Sequence, residues 1–252
     1  MSARFSRVHH EGNERWVRHE PDGLVLLSRP PWHSPEDEGN VATPARLLPP
    51  AEASKIVCVG RNYAAHAAEL GNDVPKEPLL FLKPPSALIA HGEAIELPSV
   101  SERVEHEGEL AAVIGSRLRD GDEAAAQRAV FGWTCANDVT ARDIQRADVQ
   151  FTRGKGFDTF CPLGPSLTTG IDVRALGLEV FVGDERRQSG RTDAMVWPPY
   201  KLIAFISRVM TLEPGDVVLT GTPAGVAALK PGDTVRVSIE GLEDLENPVR
   251  DR

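Results

Sequence analysis
The sequence predicts an α+β, β-rich fold of curled mixed sheets with a few short helices and a small N-terminal appendage. Three observations support this. Short apolar or alternating runs end at glycine, proline or acidic turns, among them Lys55-Ile-Val-Cys-Val-Gly60, Phe131-Gly-Trp-Thr-Cys-Ala-Asn137 and Thr234-Val-Arg-Val-Ser-Ile239. Helical patterning is confined to brief stretches. Pro44 and Pro49-Pro50 read as a linker, because consecutive prolines favour extended backbone and supply no ladder donors. The linker divides the chain into an appendage, 1–52, and a main domain, 53–252.

In the appendage, Val8, Trp16-Val17 and Gly23-Leu-Val-Leu-Leu27 read as strands, and the Pro/His/acid stretch 29–39 as a loop. The main domain opens on the strand 55–60. Ala64-Ala-His-Ala-Ala-Glu-Leu70 follows as a helix closed by Gly71-Asn72. Residues 73–77 suit a mobile loop before the strand Pro78-Leu-Leu-Phe-Leu-Lys83. In Val104-Glu-His-Glu-Gly-Glu-Leu-Ala-Ala-Val-Ile-Gly115, Leu110, Ala112 and Ile114 alternate with Ala111 and Val113 in a strand entering a core. A short helix over 121–130, a strand over 131–137 and a helical turn over 138–145 come next. Strands at 178–182, 217–220 and 234–239 and a helix at 202–210 complete the chain.

Composition removes several function classes. With 252 residues, 41% hydrophobic and 26% charged, the chain is long enough to bury a substantial core. A formal net charge of -9 argues against broad nucleic-acid binding. No apolar run approaches the roughly 18–20 residues that span a bilayer. MSARFSRVHHEGNERW lacks the apolar segment of a secretory signal. Cys58, Cys135 and Cys161 are widely spaced and without C-x-x-C, the pattern of reduced thiols. A cytoplasmic protein with no nucleic-acid or membrane partner is expected.

Chemistry-bearing residues fall at few places. Side chains two apart on a strand share a face, so Glu107 and Glu109 point the same way. Such a pair repels unless water, a proton or a cation intervenes, and a hard cation such as Mg2+ or Ca2+ takes oxygen ligands. Alone, Glu-x-Glu reads more simply as a wet strand face. His66 and Glu69 are helix neighbours, a spacing that orients a general base and equally describes a surface pair. Asp138 stands where strand becomes helix, as a cap or a rigidly held ligand, with Arg142 and Gln145 on the same helical face. Lys155 lies between Gly154 and Gly156, where backbone can approach a ligand; a flexible surface lysine explains the same residues, and no phosphate loop is present. Lys83 reads as an interior cation or a strand-end charge. Thr222, between Gly221 and Pro223, offers a hydroxyl to a bound carboxylate or simply makes a turn.

Together, Cys58-Val-Gly-Arg-Asn-Tyr-Ala-Ala-His66, Glu107-Gly-Glu109, Asn137-Asp-Val-Thr-Ala-Arg-Asp-Ile-Gln145, Gly154-Lys-Gly156 and Gly221-Thr-Pro-Ala-Gly-Val226 occur in the order found in the fumarylacetoacetate hydrolase family. The resemblance runs from about Ile56 to Asn247-Pro-Val249. It implies a mixed β-roll or sandwich assembled as a homodimer, and a divalent metal, usually Mg2+, with Mn2+ or Ca2+ as alternatives. It implies small-molecule substrates: 2-oxo acids, dicarboxylates and related dienols. By position it makes Glu107, Glu109 and Asp138 metal ligands and Lys155 the active-site lysine. His66 and Glu69 become a catalytic dyad on a helix that orders over substrate, and Arg61, Arg142, Gln145 and Thr222 substrate-side groups. Members that cleave fumarylacetoacetate itself carry an aspartate ligand where Asn62 stands, a tyrosine where Asp148-Val149 stands, and a larger N-terminal domain. These departures favour the short branch of 2-hydroxyhepta-2,4-diene-1,7-dioate isomerases, related decarboxylases and acylpyruvate hydrolases.

The expected function is therefore a metal-dependent enzyme acting on 2-oxo or 2-hydroxy-dienoic (di)acids through a stabilised enolate. Isomerase or decarboxylase activity of the 2-hydroxyhepta-2,4-diene-1,7-dioate type, in aromatic catabolism, leads. Acylpyruvate hydrolysis and oxaloacetate decarboxylation are alternatives, since one enolate serves all of them. A metal-binding structural protein would keep the carboxylates but have no use for His66, Lys155 and Gln145 in one cleft. A phosphoryl-transfer enzyme would need a phosphate cradle.

Overall fold
A computed structural model describes residues 2–41 and 46–252; Pro44 of the expected linker lies outside the described residues. Strands dominate, in mixed sheets, as the sequence predicts. The larger sheet runs in the order Asp37–Val41, Gly23–Leu27, Asn13–Glu20, Arg4–His10, Cys161–Thr168, Val130–Asn137, Gly108–Ile114, Val217–Leu219, Ile56–Gly60 and Leu79–Lys83. Backbone pairing carries the N-terminal meander into it, through Arg4↔Thr168 and Phe5↔Leu167. Val217–Leu219 and Ile56–Gly60 are parallel neighbours. A second sheet orders Glu185–Arg191, Gly177–Val182, Thr234–Ile239, Leu245–Asp251 and Ile95–Leu97.

The strand Gly108–Ile114 is buried at every residue. Leu110, Ala112 and Ile114 enter an apolar cluster shared with Val180, Val237 and Ile239 of the second sheet and Leu202 and Ile206 of the helix Pro199–Val209. Ala111 and Val113 enter a different cluster with Trp16, Ile56, Leu163 and Val217. A strand covered on both faces reads as a continuous apolar run, and this one does. Glu109 on this strand and Glu107 just before it are both buried, and the wet strand face is excluded.

Two local expectations change. Residues 37–39, expected in a loop, belong to an edge strand, Asp37–Val41, on Gly23–Leu27. Four of its five residues are exposed, so backbone pairing and the surface Arg18–Asp37 pair hold it and no apolar pattern announces it. Asp138 caps no helix. The chain pairs Thr140–Ala141 with Val104–Glu105 first, and the helix begins only at Arg142. The Asp138 N–H donates instead to the Glu107 carbonyl at 2.8 Å. Arg142 and Gln145 do share a helical face, their side chains meeting at 2.6 Å. Among the described residues no helix is long and apolar enough to cross a membrane.

Candidate active site
Antiparallel register builds the centre. Gly108 pairs with Asn137 and Glu109 with Ala136, which sets the next residue of the second strand, Asp138, beside Glu107. The Asn137 side-chain oxygen accepts the Glu107 N–H at 2.9 Å and fixes the approach. Glu107, Glu109 and Asp138 each then bring an oxygen within 4.8 Å of the others, all buried. Gly108 between the glutamates is sterically required: a Cβ there would lie 2.2 Å from Val180 Cγ2. Gly108→Ala should cost about 1–3 kcal/mol through overpacking. Thermal unfolding without metal checks this, and unchanged stability would count against so tight a contact.

Cations surround the triad. Lys155 Nζ bridges Glu107 at 2.7 Å and Asp138 at 2.6 Å. Lys83, at the end of its strand, is the interior cation, 2.5 Å from the other Asp138 oxygen. Arg142 reaches Glu107 at 2.5 Å and Glu105 at 2.7 Å. Four buried carboxylates thus face three buried cations, and the half-exposed Arg103 adds a fourth cation on Glu105 at 2.6 Å. Lys155 is 3% exposed, so the surface-lysine reading is wrong; the short helix Thr152–Lys155 carries its side chain inward.

Protonation follows from these partners. Burial pushes the Glu107 carboxyl up, but attraction to Lys155 and Arg142 outweighs it and holds the group well below the usual range. Burial also disfavours the Lys155 charge, yet Asp138 and Glu107 raise its pKa above the ordinary lysine value. Glu109 differs. Burial, Asp138 and Glu107 together push its carboxyl well above the ordinary value, and the donor it finds is the Gly221 N–H at 2.6 Å. A divalent cation relieves what a single backbone donor cannot. The all-oxygen donor set and this under-compensated carboxyl both fit a hard cation.

Eight of the ten expected site residues line one cavity of about 360 Å³. The other two, Glu69 and Asp138, stand behind His66 and Lys155. His66 is 5% exposed, its Nδ1 3.3 Å from Glu69. Glu69 also accepts the Gly225 N–H at 3.0 Å, tying the helix Ala64–Glu69 to the 221–226 loop. Arg61 holds a left-handed backbone (φ 58°) and lines the cavity. Such a backbone strains a residue with a Cβ, and strain of this kind gathers at binding sites. Asn62 is fully engaged with backbone groups of Trp197 and Thr220. The Thr222 hydroxyl donates to the Gly108 carbonyl at 2.8 Å and accepts from Gln188 at 2.7 Å.

Sequence reasoning missed Glu105, Asn137 and Gln188. Asn137 opens a quoted motif and Glu105 lies two residues before Glu107, so their positions were visible but their burial was not. Gln188 lies in a polar hairpin segment that offered no signal.

Comparison with known proteins gives the family. Residues 55–250 match the fumarylacetoacetate (FAA) hydrolase C-terminal family. A rice (Oryza sativa subsp. japonica) protein named as a mitochondrial oxaloacetate tautomerase is 46% identical over 220 residues, covering 84% of this chain and 96% of that one. The crystal structure of a 5-carboxymethyl-2-hydroxymuconate delta-isomerase from Mycobacterium smegmatis superposes with a TM-score of 0.90 at 40% identity, covering 99% of this chain and all of that one. A 2-hydroxyhepta-2,4-diene-1,7-dioate isomerase from Mycobacterium marinum gives 0.90 at 39%, with 99% of each chain covered. With the profile spanning most of its length and the buried triad in place, this chain belongs to the fumarylacetoacetate hydrolase family.

Proposed function
We propose that the protein is a Mg2+-dependent isomerase of 2-hydroxy-dienoic and 2-oxo diacids, of the 2-hydroxyhepta-2,4-diene-1,7-dioate isomerase type. One observation carries this reading. Two members of a buried carboxylate triad, Glu107 and Glu109, line one cavity with two buried cations and a glutamate-oriented histidine, and the third, Asp138, stands directly behind Lys155. Glu107, Glu109 and Asp138 would hold the ion, which when bound would supply Lewis-acid stabilisation to the enolate of a 2-oxo acid.

The protein's own groups do the rest. Isomerisation takes the proton of the 2-hydroxyl and sets one on a chain carbon as the double bonds shift. With Nδ1–H assigned to Glu69, the His66 Nε2 lone pair is left to take and return that proton. Lys155 and Arg142 stay charged, so they supply a positive field for the enolate and not a base. Arg61 and Arg146 line the cavity without an ion pair among the described residues. They are the guanidinium groups left for a second carboxylate, which favours diacids over monoacids.

Oxaloacetate keto–enol tautomerisation is the second reading. The rice relative's name favours it, and it moves a proton between the same two kinds of atom. Ultraviolet absorbance with Mg2+ and a panel of dienoic diacids, oxaloacetate and acylpyruvates tests both. Turnover is expected on the diacids, and undiminished activity in metal-stripped protein would sink the reading. His66→Ala should slow isomerisation by roughly 10²–10⁴-fold. Any oxaloacetate decarboxylation, which needs no proton abstracted, should fall far less. Equal losses in the two assays would remove His66 from proton transfer. A homodimer belongs to the same proposal, as does the cytoplasm, in keeping with three free, buried cysteines.

A further inference from the structure
Gln188 sits on Glu185–Arg191, the outer strand of the second sheet. It is the one residue of that strand that is buried, at 0% exposure. Its carboxamide is saturated. Oε1 accepts from the Gly108 N–H and from His106 Nδ1, both at 3.0 Å. Nε2 donates to Thr222 Oγ1 at 2.7 Å and to the Pro223 carbonyl at 2.6 Å. Thr222 Oγ1 in turn donates to the Gly108 carbonyl at 2.8 Å.

Gly108 separates Glu107 from Glu109. Both of its backbone polar groups therefore end on Gln188, the N–H directly and the carbonyl through Thr222. Gly108 is also the first residue of its strand, where ladder bonds alone hold the backbone least. The Gly221 N–H that Glu109 accepts lies next to Thr222, so the same amide also steadies that donor.

We infer that Gln188 is a positioning residue of the metal centre, holding Glu107 and Glu109 at the separation that lets both carboxylates reach one ion. This rests on the metal reading above. Gln188 touches neither ion nor substrate and acts through Gly108 and Thr222. Partners of this kind typically change metal affinity 10–100-fold when removed.

The experiment is Mn2+ titration of the full chain by isothermal calorimetry and electron paramagnetic resonance, beside thermal unfolding in chelator. Wild type, Gln188→Met, Thr222→Val and Thr222→Ser are compared. Gln188→Met should raise the Mn2+ Kd by about 10–100-fold. Thr222→Val should move it the same way, and Thr222→Ser, which keeps the hydroxyl, should restore it. Folded Gln188→Met with wild-type Mn2+ affinity would overturn the inference. If that variant does not fold, the valine and serine pair decides: equal Kd values for the two overturn it. Loss of folding in both Gln188→Met and Thr222→Val, unrescued by saturating Mn2+, would make the network structural and also overturn it. Failure of wild type itself to bind Mn2+ would instead defeat the metal reading, so the two failures are distinguishable.

Discussion

Glu109→Gln should abolish divalent-metal binding and reduce activity by about 10³-fold or more, near 4 kcal/mol of transition-state stabilisation, while the metal-free fold holds or gains stability. The amide keeps the shape and the oxygen that accepts the Gly221 N–H. It removes a charge repelled by Asp138 and Glu107 in a buried site. Metal-free wild type should therefore unfold no later than the variant, whereas Mg2+ should raise the melting temperature of wild type alone. A variant that still binds Mn2+ like wild type would refute the assignment.

A pH dependence follows from the same carboxyl. Its pKa is raised in the metal-free protein, so below that pKa a proton occupies the site and the ion must displace it. Metal affinity should climb with pH through that range and level off above it, by at most about tenfold per pH unit for one proton.

Lys155→Met should be the most damaging change to the metal-free protein, at about 3–5 kcal/mol, because it strands charge that had a buried partner. Lys155 bridges Glu107 and Asp138, so both lose a cation together. The loss and the metal site are coupled. With Lys155 gone the triad is more negative, and a divalent ion should bind at least as tightly as in wild type. Mg2+ should thus rescue more thermal stability in the variant than it adds to wild type. Activity should stay low even in saturating Mg2+, since the positive charge near the enolate is missing. Restored turnover at high Mg2+ would show that Lys155 only neutralises the site.

The two variants separate roles that the charge network merges. Glu109 carries charge that the fold tolerates poorly and the ion needs. Lys155 carries charge that the fold needs, and that tunes the chemistry once the ion is bound. Carboxylates and cations in the cluster nearly balance, so a bound dication would leave it positive, which suits a cavity that must attract a carboxylate.

Legibility in the sequence follows the range of the interaction. Glu107 and Glu109 share a face because a strand alternates, and Arg142 meets Gln145 because a helix turns in 3.6 residues. Both relations are local, as is His66 with Glu69, and all could be read from spacing. The five ordered motifs then placed the chain in its family before any coordinate. Asp138 illustrates the boundary. Its residue type and motif were visible, but the helix expected to start there begins four residues later, because Thr140 pairs with Glu105.

What the sequence by itself determined is the list of chemical groups and their short-range pairings: three carboxylates, a histidine dyad, a lysine between glycines, an apolar strand through the middle. Tertiary structure alone decided which groups are buried together. Antiparallel register brought Asp138 to Glu107, a strand end turned Lys83 inward and a short helix Lys155, and a second sheet delivered Gln188 from a polar hairpin. The physical reason is that burial is a property of the assembled sheets. The same lysine or glutamine side chain is a solvated tail or an interior clamp according to what packs over it, and no local periodicity encodes the covering element.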